Sequence, residues 1–165
     1  MRQVNLILIL MGLFFTLISC QNNKSKKPTV VDRTQGVAPL PPETISQLNK
    51  TCTSIDIIPL LKGANASLSF NKAQDQAIGY IISFIADEKG IVGNCTPEAH
   101  VVFGESGEIN YEADIYYSNG CNAFAFIKGG KIVFVNKIRP EGIDFFKNFI
   151  KPISKEKMDS LAKMN

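Results

Sequence analysis

Three turn signals, Gly104-Glu105-Ser106-Gly107, Asn119-Gly120 and Gly129-Gly130, divide the second half of this chain into short segments and constrain its fold more than any other feature. The segments between them are apolar or alternating and too short for stable helices, the pattern of successive β-strands. Asn-Gly and Gly-Gly supply the positive φ that two-residue hairpins require, so they set register as well as direction. Counting outward from Asn119-Gly120 puts Ile115 opposite Phe124 and Ala113 opposite Phe126. The same count from Gly129-Gly130 puts Phe126 opposite Val133 and Phe124 opposite Val135. An antiparallel meander of about four strands follows, with one face plainly core.

Upstream, Pro42-Glu43 opens a short helical pattern through Leu48, and Ser54-Ile55-Asp56 starts a short turn toward Leu61. Asn71 is the expected N-cap of a longer helix on which Ala77, Ile78, Ile81, Ile82 and Ile85 recur at helical spacing, ended by Asp87 to Gly90. The β-branched residues of its second half leave a buried strand over Tyr80 to Ile85 as the alternative. The fold class expected is α+β, a meander packed against one long helix with C-terminal helices after it. Its outline resembles a cystatin-like roll.

The same register describes a second face. The strand from Ile109 to Tyr117 turns Asn110, Glu112, Asp114 and Tyr116 toward it, as solvent demands. The next two strands present Ala123, Ala125 and Ile127 beside Ile132, Phe134 and Ile138, an apolar strip too large to leave in water without a reason. Two reasons compete. A helix from Pro140-Glu141, apolar along Ile143, Phe146, Phe149 and Ile150, covers the strip, or else Ala123, Ala125, Ile127, Ile132 and Phe134 bind a partner protein or a second copy.

The N-terminus says where such a domain works. Arg2 precedes an apolar run from Leu6 to Ile18, shorter than the roughly 20 residues a membrane-spanning helix needs, and Ser19 is the small residue before a cleavage site. With Leu17-Ile18-Ser19-Cys20, this resembles the signal peptide and lipobox of bacterial lipoproteins. The resemblance implies removal of residues 1–19, lipidation of Cys20 and anchoring in the bacterial cell envelope, at the outer membrane in a Gram-negative host because Gln21 is not the Asp of inner-membrane retention. Each buried CH₂ contributes about 0.8 kcal/mol, so two or three acyl chains hold a protein on the bilayer for practical purposes. Residues 20–42 then read as the lipidated cysteine and a linker that ends in Pro39, Pro41 and Pro42, and residues 43–165 as one globular domain.

Cleavage would remove one base and no acid, so 17 of the 18 Lys+Arg remain against 15 Asp+Glu. That balance excludes nucleic acid as an expected partner, which would demand clustered cations on one face. Cys52, Cys95 and Cys121 would lie in an oxidising compartment, where three thiols allow one bridge. Cys95 precedes the first meander strand and Cys121 follows the Asn-Gly turn, which makes them the preferred pair, with Cys52 bridges left open. No Cys/His spacing fits zinc, a single histidine rules out HExxH, and no cofactor motif is present. With a five-residue first hairpin loop, Val101 and Phe103 face the core and His100 falls outside, opposite Glu112. A non-catalytic domain binding an envelope protein, peptide or small ligand is the favoured function. An enzyme using a surface His/carboxylate or thiol site, and a structural assembly lipoprotein, are the alternatives.

Overall fold

The computed structural model describes residues 33–64 and 67–151. The apolar run, Cys20, the first part of the linker and the last fourteen residues of the chain lie outside the described residues. In chain order the elements are α1 (Pro42–Thr51), β1 (Ser54–Pro59), β2 (Leu68–Asn71), a 3-10 turn (Lys72–Gln74), α2 (Asp75–Ile82), β3 (Ile85–Lys89), β4 (Ala99–Glu105), β5 (Glu108–Tyr116), β6 (Ala123–Lys128), β7 (Lys131–Ile138) and α3 (Pro140–Phe149). Seven strands form one sheet in the order β2-β1-β4-β5-β6-β7-β3. Every pairing is antiparallel.

This corrects the expected fold class. The protein is mostly sheet, with three short helices, rather than a four-strand meander on a long helix. Asn71 does cap, accepting from Ala73 N while Gln74 reciprocates, but it opens only the 3-10 turn and the eight-residue α2. Ile85, which fits the helical spacing, lies instead in β3 and pairs with Ile138 of β7. Isoleucine is a modest helix former and packs well in a strand, so the periodicity of Ile81, Ile82 and Ile85 spans two elements. The stretch read as a turn after Ser54 is β1, whose Ile55 and Ile57 are buried between less buried Ser54, Asp56 and Ile58.

The core lies on one face. Ile55, Ile57, Val101, Phe103, Ala113, Ile115, Phe124 and Phe126 are buried there beneath Leu48 of α1, Ile78 and Ile81 of α2 and Phe146 of α3. Burial of a large aliphatic or aromatic side chain of this kind contributes roughly 1.5 to 3 kcal/mol. Phe146 is central to it: its ring centroid lies 6.0 Å from Phe124, 6.1 Å from Phe84 and 6.2 Å from Tyr117. Gly142 lets α3 approach this closely, since a Cβ there would come within 2.7 Å of Phe84. The C-terminal helix therefore packs on the first face and does not cover the strip.

The two hairpins flanking β6 differ. Ile115 pairs with Phe124 and Ala113 with Phe126, the register that the Asn119-Gly120 turn dictates. Between β6 and β7 a bulge beside Phe126 and Ile127 shifts the ladder, so that Phe126 meets Phe134 and Phe124 meets Asn136. One residue of slip exchanges the faces of a strand. Phe134 and Ile138 consequently join the first-face core, and Val135 turns to the second.

On the second face Ala123, Ala125 and Val135 are fully buried with Val92, Tyr116 and Cys121, against Val37, Cys95 and Ile132. Their cover comes from the segment 33–40 and the loop before β4. The last part of the segment expected as linker is thus part of the domain: Leu40 is in the core, its N–H donates to Asn136 Oδ1 at 2.7 Å, and Val135 N donates to Ala38 O at 3.0 Å.

Candidate functional site

The strip cannot serve as an open interaction surface in this state. Ala123 and Ala125 have no exposure, Phe134 is on the other face, and only Ile127 and Ile132 remain half-buried. The candidate site lies instead on the helical side, in an open cleft of about 610 Å³ where α1, α2, β3 and the start of α3 meet. That volume falls in the range of small-ligand pockets.

Each wall has a local cause. Pro42 occupies the first turn of α1, where its missing N–H costs nothing, and burial of Leu48 turns Ser46 and Asn49 outward to the cleft. Gly79 of α2 faces Asn49 of α1, and a Cβ there would make an ordinary contact with Asn49 Oδ1 at 3.4 Å. The end of α2 is fixed by Ser83, whose hydroxyl donates to Tyr80 O at 2.6 Å. Phe84 forms the apolar floor, and Tyr80 stands edge-on to it with centroids 4.7 Å apart while remaining 54% exposed. Arg139 enters at the head of α3, its N–H donating to Phe84 O at 2.8 Å.

The rim carries both signs of charge. Asp87, Arg139 and Glu141 line the cleft, and among the described residues their side chains make no hydrogen bond or ion pair with one another. The Lys137 ammonium, 2.6 Å from Glu88 Oε2, holds that neighbouring carboxyl below its ordinary range, with a smaller contribution from Arg139. Arg139 is left to present its planar donors to solvent or to a ligand. An apolar floor with one aromatic wall, a free guanidinium and two free carboxylates can hold an amphipathic group bearing both charges.

Other site residues fall elsewhere. The first hairpin turns tightly through Ser106 and Gly107, both at positive φ, with a bulge at Phe103 and Gly104. His100 therefore pairs with Asp114, not with Glu112. Its Nδ1 is 2.9 Å from Asp114 Oδ1, and its Nε2 is 3.8 Å from Glu112 Oε1. Cys95 and Cys121 are joined by a disulfide, with Cα atoms 6.4 Å apart. Cys52 is free, and burial pushes its thiol pKa up, so it forms the nucleophilic thiolate less readily than an exposed cysteine. Among the described residues no group of three His, Cys, Asp or Glu is placed to hold a metal ion.

Tyr80, Asp87, Arg139 and Glu141 were not legible as a site, since they come from three elements separated by up to some sixty residues of chain. The one available signal was the charged Arg139-Pro140-Glu141 start of a helix, which reads equally well as capping. Compared with protein-family models, curated proteins and solved structures, the chain matches none.

Proposed function

We propose that this is a lipid-anchored protein of the bacterial cell envelope whose domain binds, without catalysis, a small or peptide ligand carrying an anionic and a cationic group. The observation that carries the binding reading is the cleft itself, where the Arg139 guanidinium makes no hydrogen bond or ion pair among the described residues beside the exposed ring of Tyr80. Arg139 would grip the anionic group, Asp87 or Glu141 the cationic one, and Tyr80 and Phe84 the apolar part between them. The anchor reading is supported by the Leu17 to Cys20 motif.

A thermal-shift screen against dipeptides and other zwitterionic amphiphiles tests the cleft. A ligand that binds only the folded state at about 100 times its Kd adds about 2.7 kcal/mol of stability, a clear rise in Tm. The rise should vanish in Arg139→Ala and in Ser46→Trp, which places a large ring at the mouth. Ligands that stabilise wild type and both variants equally would place binding elsewhere. The enzyme alternative rests on His100 with Asp114 and Glu112, because the thiol expected near it, Cys95, is held in the disulfide.

A further inference from the structure

The loop between β3 and β4 lies against the second face of the sheet, and its tip is tied by the Cys95–Cys121 disulfide to the start of β6. Two carbonyls at that tip are occupied. Arg33 Nε donates to Gly93 O, and a terminal guanidinium nitrogen donates to Cys95 O at 2.7 Å. Arg33 is also the first described residue, opening a turn in which Val37 N donates to Thr34 O at 2.9 Å and Val37 packs on the second-face core. Three residues further on the hold is of another kind. The Asn136 side-chain amide bonds Leu40 N, at 2.7 Å, Leu40 O, at 3.2 Å, and Ala86 O, at 2.9 Å, and none of these belongs to the disulfide loop.

We propose that the Cys95–Cys121 disulfide is a redox latch that fixes the point where the N-terminal segment joins the domain. With the bond intact, Gly93 O and Cys95 O stand where the Arg33 guanidinium can span them. With it reduced, the loop tip loses its covalent tie, the two carbonyls part, and the turn 33–37 loosens over the second-face cluster against which Val37 packs. Lys89 Nζ, bonded to Thr34 O at 2.8 Å, and Val135 N, bonded to Ala38 O at 3.0 Å, hold this segment independently of the disulfide, so reduction loosens the turn about these points without detaching it.

The chemistry requires a dithiol reductant. One of its thiolates attacks a sulfur of the bridge, and the half-buried Cys95 is the accessible one, since Cys121 is only 3% exposed. The S–S bond breaks as a mixed disulfide forms, and the second thiol of the reductant then closes its own disulfide. Two electrons and two protons pass to the protein, leaving both cysteines as thiols and the reductant oxidised.

Amide hydrogen exchange on the full chain in detergent, before and after dithiothreitol, is the test. Exchange at Val37 should rise about tenfold or more on reduction, while Leu40 and the β5–β6 amides stay slow. Arg33→Ala in the oxidised protein should produce the same change, Arg33→Lys a smaller one, and reduction of Arg33→Ala should add little. Unchanged Val37 protection after reduction, or in oxidised Arg33→Ala, would overturn the proposal. Reduction that also unprotects β5 and β6 would likewise overturn it, because the bond would then hold the sheet itself and not the turn.

Discussion

Tyr117 is buried with its hydroxyl unpartnered among the described residues, its ring stacked on Phe146 at an interplanar angle of 6°. Burial, with the charge of Glu98 adding to it, pushes its phenol pKa up to about 12. The unfolded chain therefore loses this proton first. Stability should fall as pH climbs from about 10 to 12, since over that window the folded state binds the proton and the unfolded state does not. Tyr117→Phe keeps the stacked ring and deletes the orphaned hydroxyl, so it should be neutral or stabilising by about 1 kcal/mol at neutral pH. It should also flatten the loss at alkaline pH, measured by denaturant titration from pH 8 to 11.5. A clear destabilisation at pH 7 would mean that the hydroxyl has a bonding partner. Glu98 is buried for a different reason: its carboxylate accepts from Tyr117 N, at 2.9 Å, and from the Ser118 hydroxyl, binding the end of the disulfide loop to the turn after β5.

At the level of elements, turns were legible and strand edges were not. Asn119 and Gly120 sit at φ 53° and 83°, and Gly129 and Gly130 at 59° and 73°, so the chemistry that marked them is the chemistry they use. The register from Asn119-Gly120 follows directly. That from Gly129-Gly130 fails because the bulge at Phe126 and Ile127 inserts a residue that leaves no compositional trace between two isoleucines and two phenylalanines. Likewise Ile81, Ile82 and Ile85 satisfy a helical period while a chain reversal at Ser83 and Phe84 divides them between α2 and β3. The site was less readable still, for Arg139 and Tyr80 meet only through packing of α2 and α3 on the sheet. That packing is testable. Phe146 has no exposure and contacts four other rings, so Phe146→Ala should cost about 3 to 5 kcal/mol, read from the shift in denaturant midpoint. A change under about 1 kcal/mol, the level of a surface substitution, would mean that α3 does not seat on the first face.

For the whole molecule, the sheet separates the cleft from the point where the N-terminal segment enters. The helices and their cleft occupy one side, and Arg33, where the N-terminal segment enters, occupies the other beside the disulfide loop. A tether attached on that side would leave the cleft facing away from the surface it is fixed to. Anchoring itself has a direct check: wild-type cells fed labelled fatty acid should yield a labelled protein that partitions into detergent. Cys20→Ser should leave an unlabelled, uncleaved or mislocalised precursor. Wild type that stays unlabelled and freely soluble with Cys20 intact would end the lipoprotein reading.

The strand order has one more consequence. β2 and β3 are the outer strands, and neither is a good template for a neighbouring chain. β2 is only four residues long, and β3 pairs irregularly between Ile85 and Lys89 and carries Asp87, Glu88 and Lys89 in succession. Short, bent or charged borders of this kind discourage sheets from zipping together. On a two-dimensional surface, where anchored molecules collide constantly, blunt borders would keep a sheet-rich domain from polymerising with its own copies.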